Sequence, residues 1–381
     1  MGPVGAGGRA NETGQGGTAG EGGTPSITGG AAGTASALSE AGAVADEGGA
    51  KMEGGAPSGK VPVFIAQGHL GRTTISCDDG RTWIHNHSVD DTQRCFEGTL
   101  DCDHSADAGR GITYGNGWFV LTWGWGHPGT VQRSSDGVTW ETVMMNSPTF
   151  ADLAFGNGTF VADASPTKVS TDAKTWATGG PLGFSINYRS IDFIDHDGGR
   201  FIVTGESGDQ RAIAISKDGK TWQMATDRPA DCGSYYRGLA YGGGTAVLAS
   251  GNGHVCYSKD GGDTWKLVKL DTALGPAVLW ADTEFMVYNG SKRYHSADGV
   301  TWQNDTTVPA NIQIGAAARS PDGTFVAAND GWLVWYEKQK FFRSTDGKTW
   351  EVLPAASFVG SHPINFMSFG YVDPGAGCPA K

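Results

Sequence analysis

The first 60 residues contain no phenylalanine, tryptophan or tyrosine, whereas residues 61–381 carry every aromatic residue of the chain. Nineteen of the same 60 residues are glycine. A segment with so few large apolar side chains cannot bury enough surface to offset the conformational entropy lost on folding. We therefore expect residues 1–60 to be a disordered tether rich in glycine, alanine and threonine, and residues 61–381 to be the folded domain.

Other features are missing as well, and each absence argues against a class of protein. The sequence has no run of about 18 or more apolar residues, which excludes a membrane-spanning helix. The net charge is −12 and no basic stripe offsets it, which argues against nucleic acid as a partner. The absence of a Cys-x-x-Cys pair argues against a zinc–thiolate site. Finally, no Gly-x-Ser-x-Gly elbow, phosphate-binding loop or dinucleotide fingerprint stands between a strand and a helix.

A short repeat takes the place of these motifs. It reads Ser-x-Asp-(x)-Gly-x-Thr-Trp, with Ala173 replacing the glycine in the third copy. The aspartate can accept hydrogen bonds from backbone N–H groups of a tight turn, the glycine supplies a positive φ, and the tryptophan can pack between neighbouring sheets. The seven copies are Ser76–Trp83, Ser134–Trp140, Ser170–Trp176, Ser216–Trp222, Ser258–Trp265, Ser296–Trp302 and Ser344–Trp350.

Strand-like runs precede each copy and suggest how the chain closes on itself. In the second unit, residues 111–114 and 118–121 flank the turn Gly115-Asn116-Gly117, which is typical of a hairpin. The folded part begins with a second-type strand at Val61 and ends with an unpaired first-type strand, residues 364–371. Pairing the two would remove the exposed sheet edges. The sequence therefore predicts an all-β fold, a seven-bladed β-propeller of four-stranded blades closed by N-terminal strands plus a C-terminal strand.

The seven turns resemble the Asp-box (BNR) repeat of the sialidase-like propeller superfamily, and the resemblance extends over essentially all of residues 61–381. It implies that the boxes are structural turns on the face opposite an active site. Sialidase-like enzymes use an arginine cluster with a tyrosine nucleophile, a glutamate and an aspartate. The chain departs from that pattern, because it has no Arg-Ile-Pro-like motif in its first strands and seven boxes where sialidases usually have six blades. These departures argue against a true sialidase.

The six cysteines are even in number, which is typical of disulfides in an exported protein, although six cysteines allow about fifteen pairings. Three bonds are suggested by position: Cys95–Cys102 would close a short loop, Cys77–Cys378 would staple the ring, and Cys232 and Cys256 both belong to the fifth blade. The tether is similar in composition to those that follow the export signal of bacterial surface lipoproteins. We therefore expect a secreted or cell-surface protein, with an export signal or lipid anchor upstream of the tether.

Strand order assigns the loops to two rims of the predicted propeller. The seven boxes and the hairpins between first and second strands lie on one rim, here called the box rim. The turns between second and third strands and the blade-to-blade connections lie on the other, here called the connection rim. Propellers of the superfamily that the chain resembles place their sites on the connection rim, so the candidate residues are those predicted there.

Three arginines share one repeat position at the connection rim. Arg110, Arg189 and Arg237 each lie four residues before an aromatic residue of a first strand, and Tyr188 and Tyr236 directly precede two of them. Three guanidinium groups facing one funnel would suit a carboxylate-bearing ligand. The alternative is that the arginines pair with acidic residues of the neighbouring loops.

Histidines are also concentrated near this rim. His69 and His127 occupy equivalent positions in adjacent blades, His104 lies in the long loop between those blades, and His362 precedes the innermost strand of the first blade. Imidazoles that converge from adjacent blades could ligate copper or zinc, or could act as general acid and base. The alternative is that surface loops simply carry polar residues.

Aromatic and acidic residues complete the candidate site. Trp123 and Trp125, in a glycine-rich turn of the second blade, would suit sugar stacking as exposed plates. A glycosidase needs two carboxyl groups about 5–9 Å apart, and some members of the resembled superfamily use a tyrosine nucleophile. The candidate catalytic residues are therefore Tyr188, Tyr236, Asp103 and Glu206.

Three functions remain open from the sequence. The first is an extracellular propeller that processes a glycan, with a carboxylate-bearing sugar as substrate and either hydrolase or lyase chemistry. The second is a non-catalytic carbohydrate-binding or adhesion module. The third is a metalloenzyme whose copper or zinc is held by His69, His127 and either His104 or His362. In the first two the partner is a glycan or another small anionic ligand.

Overall fold

The structure is a computed structural model, and it describes the folded part of the chain with gaps at several loops. The described residues are 57, 59–69, 71–87, 109–124, 129–147, 149–184, 188–207, 210–230, 232, 236–250, 253–270, 277–289, 292–305, 314–329, 339–359 and 364–379. Nearly all of the predicted tether lies outside them. Lys60, just before the predicted boundary, donates a hydrogen bond from Nζ to Asp373 Oδ1 at 2.6 Å.

Within these ranges, twenty-eight strands form seven four-stranded antiparallel sheets, which are the seven predicted blades. Blade one comprises β1 (Val61–Gly68), β2 (Thr73–Ser76), β3 (Ile84–His87) and the last strand, β28 (Ile364–Val372). Blades two to four comprise β4 (Gly109–Gly115), β5 (Trp118–Trp123), β6 (Gly129–Ser134), β7 (Glu141–Ser147), β8 (Asp152–Gly156), β9 (Thr159–Asp163), β10 (Lys168–Ser170), β11 (Ala177–Thr178), β12 (Tyr188–Ile194), β13 (Arg200–Ser207), β14 (Gln210–Ser216) and β15 (Gln223–Met224). Blades five to seven comprise β16 (Tyr236–Gly242), β17 (Thr245–Ser250), β18 (His254–Ser258), β19 (Lys266–Lys269), β20 (Val278–Trp280), β21 (Phe285–Asn289), β22 (Lys292–Ser296), β23 (Gln303–Asp305), β24 (Ala317–Arg319), β25 (Phe325–Ala328), β26 (Phe341–Ser344) and β27 (Glu351–Val352).

The two ends of the chain close blade one, as predicted. β28 pairs antiparallel with β1, from Val372 opposite Val61 to Ile364 opposite Gly68. A disulfide between Cys77 and Cys378 joins the first box to the segment after β28. The ring is therefore fastened by a strand pair and by a covalent bond between residues 301 positions apart in sequence.

The first strand of each blade is the innermost strand of the ring. β28, β4, β8, β12, β16 and β20 each contact the next in that order, and β24 contacts β28. Because the inner strands all run in the same sense, their first residues meet at the connection rim. Their last residues meet at the box rim, together with the seven boxes.

Aromatic–glycine pairs fit neighbouring blades together near the box rim. Each such glycine lies at or near the end of an inner strand, and an aromatic ring of the next blade lies against it. A Cβ on Gly115 would come 2.3 Å from the Phe155 ring, and a Cβ on Gly242 would come 2.0 Å from the Trp280 ring. Only glycine allows this approach, which explains why Tyr-Gly and Phe-Gly recur at the ends of first strands.

The box tryptophans pack against the preceding blade, as the repeat predicts. Trp83 of blade one lies with its ring centroid 4.6 Å from that of Phe341 in blade seven. Trp265 of blade five packs in one buried cluster with Ile202 and Ile213 of blade four. Large apolar plates therefore fill the space between successive sheets.

A second disulfide joins Cys232, between blades four and five, to Cys256 in β18. The two bonds confirm two of the pairs suggested by position, and Cys95 and Cys102 lie outside the described residues. No helix in the described part of the chain is long and apolar enough to cross a membrane.

Candidate functional site

Each turn of the box rim is held by contacts within its own repeat. In all seven boxes the serine hydroxyl donates to the aspartate at 2.8–3.0 Å. In all seven the backbone N–H of the threonine also donates to the aspartate, at 2.7–2.9 Å. The predicted turn chemistry is confirmed, and it satisfies the aspartate oxygens within the turn.

These hydrogen bonds lower the pKa of every box aspartate. For Asp78, Asp136, Asp218, Asp260 and Asp346, partial burial is the largest single influence and would raise the pKa, but the hydrogen bonds together outweigh it. For Asp172 and Asp298, the backbone N–H groups are the largest influence. The ionised carboxylates thus stabilise their own turns through these hydrogen bonds.

The connection rim contains the shared arginine position, and the backbone there has an irregularity in two blades. The register of β4 against β5 shifts between Gly109 and Gly111, so Arg110 occupies a bulge. The register of β16 against β17 shifts between Tyr236 and Gly238, so Arg237 occupies the same bulge in blade five. Bulges re-aim a side chain and are common next to functional sites.

Arg110 is a structural residue in this arrangement. It is 1% exposed, and its Nε donates to the backbone carbonyl of Phe150, at the entry to blade three, at 3.0 Å. The guanidinium thus links blades two and three inside the protein through a backbone carbonyl, whereas the alternative interpretation expects pairing with acidic residues. A ligand in the funnel cannot reach a side chain that is so completely covered.

Arg189 and Arg237 lie at the starts of inner strands in adjacent blades. Arg189 is opposite Gly205, and Tyr188, before it, is directly opposite Glu206. Tyr236 is opposite Ser250. Because β12 contacts β16, four of these candidate residues share one end of two neighbouring strands. The side chains of Tyr188, Arg189, Glu206, Tyr236 and Arg237 lie outside the described part of the structure, as does Asp103 altogether.

The prediction of an exposed plate at Trp123 is wrong. Trp123 is the last residue of β5, not part of the following turn, and it is only 1% exposed. Its Nε1 donates to Gln132 Oε1 at 2.8 Å. Sequence reasoning assigned it to the glycine-rich turn because Gly124 follows it directly. Trp125 lies outside the described residues.

Of the four predicted metal ligands, one lies within the described ranges of the chain. His69, between β1 and β2, is completely buried. His104, His127 and His362 lie outside the described residues. Within the described ranges, no group of three or more histidine, cysteine, aspartate or glutamate side chains is arranged to hold a metal ion.

Sequence reasoning missed a buried acidic pair beside the arginine position. Asp152, the first residue of β8, is directly opposite Asp163, the last residue of β9, and both are buried. Asp152 Oδ2 accepts hydrogen bonds from Ser190 Oγ and the Ile191 N–H of blade four, each at 3.1 Å. Burial, together with the charge of Asp163, raises the pKa of Asp152 to about 7.

A signal for this pair was present in the repeat. The residues equivalent to Asp152 in several other blades are small, such as Gly111, Gly238 and Ala277. An acid at that position therefore stood out from the pattern.

Polar bridges between blades extend from this pair along the connection rim. Gln67 of blade one donates from Nε2 to the Thr122 carbonyl of blade two at 2.7 Å. Asn365 of β28 donates to the Gly109 carbonyl at 3.4 Å. With Arg110 and Asp152, these side chains join blades one to four at the level where the predicted site begins.

Comparisons with known proteins support the fold. No protein-family model and no curated protein matches the chain. The chain is similar to virginiamycin B lyase from Staphylococcus aureus, with 13% identity, 70% of this chain and 91% of the lyase covered, and a TM-score of 0.53. It is similar to apo AztD from Citrobacter koseri, with 9% identity, 82% and 98% coverage, and a TM-score of 0.50. A chain of the mitotic checkpoint complex matches with 10% identity, 77% and 86% coverage, and a TM-score of 0.51. Likeness at such low identity concerns the propeller fold alone.

Proposed function

We propose that this protein binds a carboxylate-bearing glycan at the connection rim of blades four and five and acts on it as a hydrolase or lyase. The single observation that carries the proposal is the backbone register. It gives Tyr188, Arg189 and Glu206 of blade four and Tyr236 and Arg237 of blade five one common end of adjacent inner strands. Two arginines and two tyrosines, with an acid opposite one of them, suit recognition of an anionic sugar and proton transfer.

The arginines bind the substrate in this proposal. Arg189 and Arg237 hold the sugar carboxylate through charge-assisted, bidentate hydrogen bonds. Arg110 and Trp123 are left out, because both are buried and used inside the protein. The carboxylate is thus held by two arginines rather than by the three expected from the sequence.

The tyrosines and acids perform the chemistry. In a hydrolase, one of Tyr188 and Tyr236 gives its phenolic proton to one of the acids, Glu206 or Asp103, and attacks the anomeric carbon while the other acid protonates the leaving oxygen. Water then cleaves the glycosyl–tyrosine bond, and the tyrosine regains its proton. In a lyase, a tyrosine removes the proton α to the uronate carboxylate, the arginines stabilise the charge that develops there, and the 4-linked sugar leaves with a proton. The resemblance to sialidase-like propellers favours the same residue types.

We also propose that the protein works outside the cytoplasm. The two disulfides support this, because structural disulfides are typical of secreted and surface proteins and rare in the reducing cytosol. A tether with the composition of residues 1–60 would then hold the propeller at a cell surface, through a lipid anchor upstream.

The test is binding and turnover of sialyllactose, polygalacturonate and alginate by the wild-type protein and two variants. Arg237→Ala is expected to weaken binding roughly 10- to 100-fold, because a charge-assisted contact to the carboxylate is lost. Arg81→Ala is the matched control, since Arg81 is an exposed arginine of the first box on the opposite rim. It is expected to leave binding unchanged.

Two results would decide against parts of the proposal. Binding that is unaffected by Arg237→Ala would remove the carboxylate assignment. Binding without turnover of any of these glycans would remove the catalytic role and favour the lectin-like alternative. Turnover would be followed by release of reducing ends for a hydrolase and by ultraviolet absorbance of the unsaturated product for a lyase.

A further inference from the structure

The side chain of Asp152 ties blade three to the start of the inner strand of blade four. Its Oδ1 accepts the N–H of Leu153 at 2.7 Å, and its Oδ2 accepts Ser190 Oγ and the Ile191 N–H at 3.1 Å each. Ser190 directly follows Arg189 in β12. Of the contacts described here, these two hold the backbone next to the proposed ligand-binding arginine.

The surroundings of Asp152 are acidic and shielded from water. Asp163 lies directly opposite on β9 and is completely buried, and Asp152 itself is 4% exposed. Two carboxyl groups that are close together in a dry interior do not both ionise readily. Burial first, and the charge of Asp163 as well, raise the pKa of Asp152 to about 7.

The other charged residues near this carboxyl group come from three strands. On β4, Arg110 uses its Nε for the Phe150 carbonyl. On β9, the charged residue is Asp163. On β12, Arg189 and Asp192 flank the two residues that donate to Asp152. A change in the protonation of Asp152 therefore acts on a buried junction between strands of blades three and four, not on an exposed group.

We propose that Asp152 is a positioning residue that controls ligand binding through its ionisation. As a carboxylate it accepts both hydrogen bonds from β12 and holds Arg189 in place. As a neutral acid it gives up part of that acceptor capacity, the start of β12 loosens, and the ligand binds less tightly. This inference rests on the function proposed above, because it assigns a regulator to the same site.

The inference predicts that the stability of the fold and the affinity for the ligand change in opposite directions as the pH rises. The pKa of Asp152 in the folded state lies above its unfolded value, so this group stabilises the fold most at low pH. Its contribution to the free energy of unfolding falls as the pH rises from about 4 to about 7. Binding strengthens over the upper part of the same range. A residue that only supported the fold would change both in the same direction.

The experiment measures the melting temperature and the affinity for sialyllactose and oligogalacturonate between pH 5 and 8. In wild type, affinity is expected to be about three- to tenfold higher at pH 8 than at pH 5.5, since a hydrogen bond between blades is gained. Asp152→Asn mimics the neutral acid. It is expected to bind weakly at both pH values and to lose the decline in melting temperature that wild type shows as the pH rises.

Ser190→Ala is the second variant, for the case in which Asp152→Asn does not fold. It removes one bond to β12 and keeps the carboxyl group, so it should weaken binding at pH 8 and retain the pH dependence of the melting temperature. Wild-type affinity at pH 8 in both variants would overturn the positioning role. An unchanged pH dependence of the melting temperature in Asp152→Asn would overturn the titration. Failure of wild type to bind either glycan at any pH would overturn the proposed function and the positioning role with it, while the melting curves would still decide the titration.

Discussion

The turns of the box rim and the blade-to-blade bridges of the connection rim are held by contacts of very different range. On the box rim, the serine and the aspartate of each box are two residues apart, and the aspartate and the threonine three or four. On the connection rim, Asp152 reaches Ser190 across 38 residues, Arg110 reaches Phe150 across 40, and Asn365 reaches Gly109 across 256. The box turns are thus specified by residues close together in the sequence. Bonds between blades depend on the closed ring on both rims, as with Arg343 Nε and the Asp79 carbonyl on the box rim, 264 residues apart.

The hydrogen bonds of the box turns repeat from blade to blade, whereas the bridges of the connection rim vary. The box bonds recur seven times with nearly equal lengths, as expected of turns that form the same way in every blade. The polar bridges of the connection rim differ from blade to blade: Gln67 in one, Arg110 in the next, Asp152 in the third. Variation on a rigid, repeated scaffold is how functional sites are usually built.

The largest loss of stability is expected on removing the disulfide that joins the first box to the segment after β28. Replacing Cys77 and Cys378 by serine should cost about 2–5 kcal/mol of unfolding free energy, because their bond restricts a very long segment of the unfolded chain. The pair Cys232 and Cys256, only 24 residues apart, is the control. On chain entropy alone its loss should cost about 2 kcal/mol less. Equal losses in denaturant unfolding would contradict the importance of ring closure.

The next prediction compares the loss of stability when alanine replaces each of two glycines of blade two, one at each rim. A Cβ on Gly111 would come 2.7 Å from Asp152 Oδ1 and from the Leu153 nitrogen, so Gly111→Ala must displace blade three. We expect a cost of about 2–3 kcal/mol. Gly117, in the box-rim hairpin, has a φ of +80° with open space around it, and Gly117→Ala should cost only about 1 kcal/mol. The reverse order in thermal unfolding would show that the inner strands tolerate movement at the connection rim.

Removing one box aspartate tests whether each box turn contributes to stability independently of the other boxes. Asp346→Ala loses hydrogen bonds from Ser344 Oγ and from the N–H groups of Lys348 and Thr349, which should cost about 1–2 kcal/mol. In wild type the pKa of this carboxyl group is lowered, so its contribution is present above about pH 4 and is lost as the pH falls further. Asp152 acts in the opposite sense at higher pH. Acid unfolding of Asp346→Ala that matched wild type in every respect would contradict the assignment.

The smallest effect concerns the one box that lacks its glycine. Ala173 has a φ of +60°, a region that favours glycine. Ala173→Gly relieves that strain but also removes a buried methyl group, so we expect a net gain of about 0.5 kcal/mol. The reciprocal change, Gly137→Ala in the second box, should destabilise, because a Cβ there would come 2.5 Å from Ile65 Cδ1. A loss of stability in Ala173→Gly would show that burial of the methyl group outweighs the backbone strain.

The range of the contacts explains which features could be predicted. The box turns, the seven blades and the closure of β28 on β1 follow from local patterns repeated along the chain, and their arrangement is confirmed. The Cys77–Cys378 bond could be suggested because the closure assigned both residues to one blade. All of these predictions required only the spacing of residues along the chain and the assumption that the blades close into a ring.

The site was harder to predict, because its residues are brought together by tertiary packing. The burial of Arg110 depends on how the bulge in β4 meets Phe150, forty residues on. The burial of Trp123 depends on one more residue of β5 pairing with β4 than the glycine-rich sequence suggested. Asp152 and Asp163 become neighbours only through the register of β8 and β9. None of these contacts can be read from spacing along the chain.

Hydrogen exchange in the presence and absence of a bound glycan tests the contrast between the rims most directly. With sialyllactose or oligogalacturonate bound, we predict slower exchange in peptides that contain the starts of β12 and β16 and the end of β13. Peptides that contain the seven boxes should exchange as they do in the free protein. Protection confined to the boxes, with none at Tyr188–Ser190 or Tyr236–Gly238, would contradict the account.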